Sequence, residues 1–196
     1  MNKLRRAAIV APIRTPVGKF GGALASLNAA ELGGIILKAL MERTKIDPTR
    51  VDDVVFAQGY GSGEAPCIGH WSWLAAGLPI EVPGYQIDRR CGSGLQAIAN
   101  AAMMVQTGVS DIVVAGGCES MSNVEHYTTD IRKGVRAGNL TLHDRLTRGR
   151  LMTDKFKLNR RAKKWLAGIK AHYVGRPLTK SKYEGAHLEP GAFKLL

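Results

Sequence analysis

The stretch Tyr85-Gln86-Ile87-Asp88-Arg89-Arg90-Cys91-Gly92-Ser93-Gly94-Leu95-Gln96-Ala97 joins a strand-like run to a long uncharged helical segment, with a cysteine at the junction. A cysteine on the first turn of a helix meets unpaired backbone N–H groups and the positive end of the helix dipole, which favour thiolate over thiol. Gly92 and Gly94 are read as letting the backbone turn sharply and a substrate approach the sulfur. Cys91 is therefore a candidate nucleophile. The alternative is a buried packing cysteine, the commonest fate of a free thiol.

No charged residue occurs from Cys91 through Ser110, and Ala97, Ala99, Ala101 and Ala102 make the helix narrow. A surface helix shows a charged face, so this one is predicted to be buried on most sides, with Cys91 at the bottom of a cleft. Working outward, Ala7 to Ile13 reads as a buried strand. Asn28 and Glu31 form a capping-box-like start to a helix whose stripe is Leu32, Ile35, Ile36, Ala39 and Leu40, with Asp47-Pro48 ending it. Val51 to Ala57 is a second strand and Ile68 to Ala76 a short helix stopped by Gly77-Leu78-Pro79. Tyr85 to Arg90 is a third strand, and Asp111 to Ala115 a fourth. This alternation predicts an α/β fold with a largely parallel sheet covered on both faces by helices.

Gly92, Gly94 and Ala97 also imitate a dinucleotide-binding fingerprint, with Asp111 standing as its acidic residue. That residue belongs at the carboxyl end of the next strand. Asp111 stands at the beginning of one, and two strands already precede the glycines, so the reading is set aside.

The 196 residues suit one domain, and no apolar run approaches the roughly 20 residues of a spanning helix. Pro12 and Arg14 interrupt the basic amino terminus as a signal peptide. Cys67, Cys91 and Cys118 are an odd number without framework spacing, which predicts free thiols and a cytoplasmic protein. No zinc-ligand spacing is present, so no metal is expected. The net charge is +12, yet residues 151–196 hold 11 Lys and Arg against 3 Asp and Glu while residues 1–150 hold 17 against 13. Binding to nucleic acid or anionic lipid, if any, belongs to the tail.

Three segments now carry a resemblance: Arg14-Thr15-Pro16-Val17-Gly18-Lys19-Phe20-Gly21-Gly22, Arg90-Cys91-Gly92-Ser93-Gly94-Leu95-Gln96-Ala97 and Gly116-Gly117-Cys118-Glu119-Ser120-Met121-Ser122. In order and spacing they resemble the amino-terminal half of thiolases, the acetyl-CoA acetyltransferases and 3-ketoacyl-CoA thiolases, over residues 5 to about 150. The resemblance implies a layered αβαβα fold of two similar halves, each with a mixed five-stranded sheet, and homo-oligomers. It implies that Cys91 takes an acyl group from an acyl-CoA as a thioester, with its own N–H as a possible oxyanion donor. The acyl group then passes to CoA or to the carbanion of a second acetyl-CoA. CoA thioesters are the substrates and no cofactor is expected. Gly116 and Gly117 are read as substrate-proximal, allowing close approach beside the nucleophile. Cys118 is read as packing, and Glu119 and Ser120 as hydrogen-bonding to neighbouring backbone. Arg89 and Arg90 either assist the thiol or face the surface or a dimer partner.

The family's Gly-His-Pro, Cys-x-Gly-Gly-Gly and Asn-Glu-Ala-Phe segments do not occur here. None of His126, His143, His172 and His187 has the setting of the family's base. No fifth strand is evident. The chain is thus read as a truncated thiolase, carrying the nucleophile without its base, and as inactive alone. Its domains are an incomplete thiolase-like unit over residues 5–150 and a basic tail over 151–196, helical or disordered. The tail is either an amphipathic helix with a Leu158, Ala162, Trp165, Leu166, Ile169 and Tyr173 stripe, or an out-of-frame segment. The competing function is a noncatalytic binding protein that uses the tail as its contact surface.

Overall fold

Val54, Val55 and Phe56 form an apolar, β-branched run that is inaccessible on both sides, and the sheet is built around it. The computed structural model describes residues 4–148. Strand β1 (Asp53–Ala57) lies between β2 (Gly84–Ile87) and β3 (Val113–Gly117). All pairings are parallel, with Val54 opposite Gly84 and Ala57 opposite Ile87 on one side, and Asp53 opposite Val113 and Ala57 opposite Gly117 on the other. The carboxylate of Asp52 sets the second register by accepting from the N–H groups of Asp111 (2.7 Å) and Ile112 (2.9 Å).

Helices α1 (Ala29–Thr44) and α2 (Ile68–Ala75) pack together over one face, where Leu37, Ile68 and Trp73 bury Val54 and Phe56. The capping box forms as expected: Glu31 N–H donates to the Asn28 side chain (2.9 Å), and Asn28 N–H donates to the Glu31 carboxylate (2.7 Å). The helix ends earlier than expected, at Thr44, because Lys45 turns left-handed and donates its N–H to the Met41 carbonyl. Asp47-Pro48 instead opens a 3-10 turn, Pro48–Arg50. Past α2, Gly77 has φ +71°, and the Trp73 indole donates to the Pro79 carbonyl (2.8 Å), which satisfies the polar end of a buried ring.

Helix α3 (Ser93–Thr107) crosses the other face, with Ala97 and Ala101 buried on the side that packs on the sheet. Its predicted burial on most sides is not met among the described residues, since Leu95 is 69% exposed and Met103 52%. An uncharged sequence licenses burial but cannot supply the element that covers it. Ala7 to Ile13 is likewise not a strand: Ile9 and Val10 are both 70% exposed. β-propensity is realised only against a hydrogen-bonding neighbour, and among the described residues the tie near this segment is Arg5, through its N–H to Gln106 and its side chain to Asp111. The sheet therefore has three of the four strands expected from the sequence. A short antiparallel pair, β4 (His126–Tyr127) with β5 (His143–Asp144), lies later in the chain. The tail, His172 and His187 lie outside the described residues. Among the described residues no helix is long and apolar enough to cross a membrane.

Gly69 marks a close approach of α2 to the sheet. A methyl group there would lie 2.6 Å from the Val54 carbonyl oxygen and 2.9 Å from that of Tyr85, both fixed in the β1–β2 ladder. Gly69→Ala is expected to destabilise the chain by about 1–3 kcal/mol through overpacking, measured as a lower denaturant midpoint with an unchanged slope.

Candidate active site

In a parallel sheet every strand delivers its carboxyl end to the same edge, and that edge gathers the loops which carry chemistry. Here β2 runs into Asp88–Gly92, β1 into Gln58–Gly63 and β3 into Cys118–Ser122. The ladder continues one step beyond each strand, with Gln58 N–H donating to Ile87 (3.1 Å) and Cys118 N–H to Ala57 (3.2 Å).

Cys91 lies in a 3-10 turn, Arg90–Gly92, that feeds directly into α3. The thiol is exposed rather than at the bottom of a cleft, because the outer face of α3 has no cover among the described residues. The sharp backbone turn is made by Arg90, at φ +50°, and not by the glycines. Gly92 has φ −90°, and no atom lies within 4 Å of a methyl group built on Gly94. Gly94 therefore faces open space, while a methyl group on Gly92 would only touch the Arg89 side chain at 3.9 Å. A left-handed arginine costs about 1–2 kcal/mol, and its surroundings offset it. Arg90 N–H donates to Asp88 (3.0 Å), whose carboxylate also pairs with the Arg90 guanidinium (3.2 Å). Buried Ser93 accepts from Arg89 N–H (2.6 Å) and donates to the Arg90 carbonyl (2.7 Å). The Arg90 guanidinium further donates to the Gly59 carbonyl and stands 5.8 Å from the Tyr60 ring centre. Arg89 bonds Gln96 instead.

Gly116 and Gly117 serve the sheet. A methyl group on Gly117 would lie 2.7 Å from Ala57, and one on Gly116 would lie 3.1 Å from the Phe56 ring. Both line a cleft of about 520 Å³ between β3 and the Arg14–Phe20 segment, and Cys91 does not line it. Both pack against β1, the neighbour of β3 in the sheet, and β3 does not pair with the strand that leads to Cys91. Two of the sequence motifs nevertheless meet here. Gly21 N–H donates to Ser122 (3.0 Å), Ser120 to the Leu27 carbonyl (2.9 Å), and Asn123 to the carbonyls of Ala25 (2.9 Å) and Leu27 (3.0 Å). Asn123 and Ser93 are not singled out by sequence reasoning. Ser93 carries a signal, a serine at the first position of a helix, while Asn123 carries none.

Glu119 accepts from the N–H groups of Gly59 (2.8 Å) and Tyr60 (3.3 Å). Burial pushes its carboxyl above the usual range against the pull of those two bonds. Burial also pushes the Cys118 thiol up to about 11, with its sulfur 3.6 Å from the Ser72 hydroxyl. This agrees with the packing role expected of it. Cys67 is exposed and donates to the Gly84 carbonyl (2.9 Å). Among the described residues no group hydrogen-bonds to the Cys91 side chain, and His143 is engaged with Arg148 (3.1 Å) and the Tyr127 ring. Beside the site, Glu125 accepts from Ser62 (2.6 Å) and Gly63 N–H (2.6 Å) and pairs with Arg145 (3.2 Å). Those bonds, led by Ser62, hold its carboxyl below the usual range.

The family described as the amino-terminal domain of thiolase matches residues 7–176. The chain belongs to the thiolase family. An acetyl-CoA acetyltransferase of Chromobacterium violaceum is 41% identical over 188 residues, covering 96% of this chain and 45% of the relative. A steroid 3-ketoacyl-CoA thiolase of Mycobacterium tuberculosis is 45% identical over 123 residues, 62% of this chain and 30% of that one. The crystal structure of the Bacillus anthracis acetyl-CoA acetyltransferase superposes with a TM-score of 0.71 at 36% identity, covering 76% of this chain and 38% of that chain. This thiolase-family chain therefore spans less than half the length of these relatives. The family match and the Chromobacterium alignment both run past residue 150, where the motif-based resemblance ends.

The thiols divide by burial and bonding. Iodoacetamide at neutral pH is expected to modify Cys91 fastest, Cys67 more slowly because it must give up its bond to Gly84, and Cys118 only after unfolding, as read by peptide mass spectrometry. Glu125 stabilises the fold above its unfolded pKa, and that contribution is lost as pH falls through its lowered folded pKa. Glu125→Gln should accordingly lower the thermal midpoint at pH 7, with the gap to the parent closing as the pH drops below the ordinary carboxylate range.

Proposed function

We propose that this chain carries the acyl-accepting part of a thiolase-type acyl-CoA acyltransferase, with Cys91 as the nucleophile. The observation that carries the reading is an exposed thiol mounted on the turn that starts α3, at the carboxyl edge of a parallel sheet, with open space at Gly94. Cys91 Sγ attacks the thioester carbonyl carbon of an acyl-CoA. A new carbon–sulfur bond forms, the carbon–sulfur bond to CoA breaks, and the proton given up by Cys91 ends on the CoA sulfur. One thioester replaces another, so the exchange is close to isoenergetic and runs in both directions. The α3 amino terminus offers backbone N–H groups to the transient oxyanion, with the Cys91 N–H as one donor.

Condensation or thiolytic cleavage also needs a base, and no titratable side chain bonds to Cys91 among the described residues. We assign the chain single acylation rather than turnover when it acts alone. The substrate class is acyl-CoA, its acyl length is not specified by this site, and the compartment proposed is the cytoplasm. Incubation with acetyl-CoA should leave one hydroxylamine-labile acetyl group on the Cys91 peptide, absent in Cys91→Ala. Acetylation spread equally over Cys67 and Cys91 would overturn the assignment, and an unmodified chain would favour a noncatalytic binding role.

A further inference from the structure

Three strand ends are linked through the Gly59–Tyr60 segment. Arg90, at the end of β2, reaches across to the end of β1 through the Gly59 carbonyl and the Tyr60 ring. The N–H groups of the same two residues are held from the other side by Glu119, at the end of β3. Arg90 has both of its own peptide groups tied, its N–H to Asp88 and its carbonyl to Ser93, and Cys91 is the next residue. We propose that Arg90 is a positioning residue for the nucleophile, and that Glu119 acts on Cys91 at one remove by fixing the Gly59–Tyr60 segment against which Arg90 is tethered. The inference rests on the reading of Cys91 as the nucleophile and names what aims it.

The physical reason is that the turn has little else to hold it. Its thiol is exposed, Gly94 faces open space, and the left-handed backbone of Arg90 is not a conformation that a bulky residue keeps unaided. A planar guanidinium meets three partners of different geometry at once: the Asp88 carboxylate, a carbonyl and an aromatic face. A lysine ammonium can keep the first but not the stacked, forked arrangement. Released from this tether, the turn samples conformers in which the sulfur is off the axis of α3 and away from its N–H groups.

The test uses the full chain and measures iodoacetamide alkylation of Cys91, with Cys67 in the same molecule as internal reference and the thermal midpoint as a control for folding. Arg90→Ala, Glu119→Ala and the milder Tyr60→Leu are each expected to slow Cys91 relative to Cys67 by about fivefold, with Arg90→Lys intermediate. The double variant Arg90→Ala/Glu119→Ala should be no slower than the slower single one, because both act through the same segment. Arg90→Gly separates tether from strain: it adopts φ +50° freely, so slow alkylation in this variant supports the tether, and recovery of the parent rate overturns it. A Cys91 to Cys67 ratio unchanged within about twofold in Tyr60→Leu and Arg90→Lys, or additive losses in the double variant, also overturns it. Failure of the parent chain to take acetyl from acetyl-CoA strikes the nucleophile reading instead, and leaves the alkylation ratios to decide the tether.

Discussion

The placement of β1 between two parallel neighbours is the constraint on which the rest depends. Its backbone is bonded on both sides and its side chains from Val54 to Ala57 are buried, so little along the strand is free to vary. Because both pairings are parallel, three loops from distant parts of the sequence emerge at one edge. The Cys91 turn and the Gly116–Ser122 segment are not neighbours in the sheet. They are coupled through the loop that leaves β1, and this gives the Gly59–Tyr60 backbone its importance.

Close backbone approach accounts for several glycines without any appeal to catalysis. Gly69 and Gly84 let the start of α2 lie against the β1–β2 ladder, and Gly117 lets β3 sit against Ala57. The adjacent polar groups obey the same logic of compensation. Glu119 is partly buried at a cost, seen in the upward push on its carboxyl, and in return it satisfies two backbone donors at the point where β1 becomes a loop.

On the proposed reading, Cys91 presents an acyl acceptor, and no group that would move its proton bonds to it among the described residues. An exposed thiol next to an uncovered, uncharged helix face is coherent with that reading. The surface that would dry the site and strengthen its dipoles is not among the described residues.

Much of the local structure is legible in the sequence because it is set by neighbours along the chain. The Asn28–Glu31 capping box, the Gly77 stop and the strand-to-helix junction at Cys91 rest on contacts a few residues apart, and the three strands show as apolar runs between turn residues although their pairing is long-range. The motif order also suffices for the family. What only the tertiary structure decided was every feature that needs a distant partner. Ala7–Ile13 has the composition of a strand but no described neighbour to bond, and α3 has the composition of a buried helix but is half covered among the described residues. The left-handed residue at the Cys91 turn is an arginine rather than a glycine, because Asp88, Gly59, Tyr60 and Ser93 converge on it. Propensity is a property of the chain; pairing, cover and strain belong to the pairs of segments that meet.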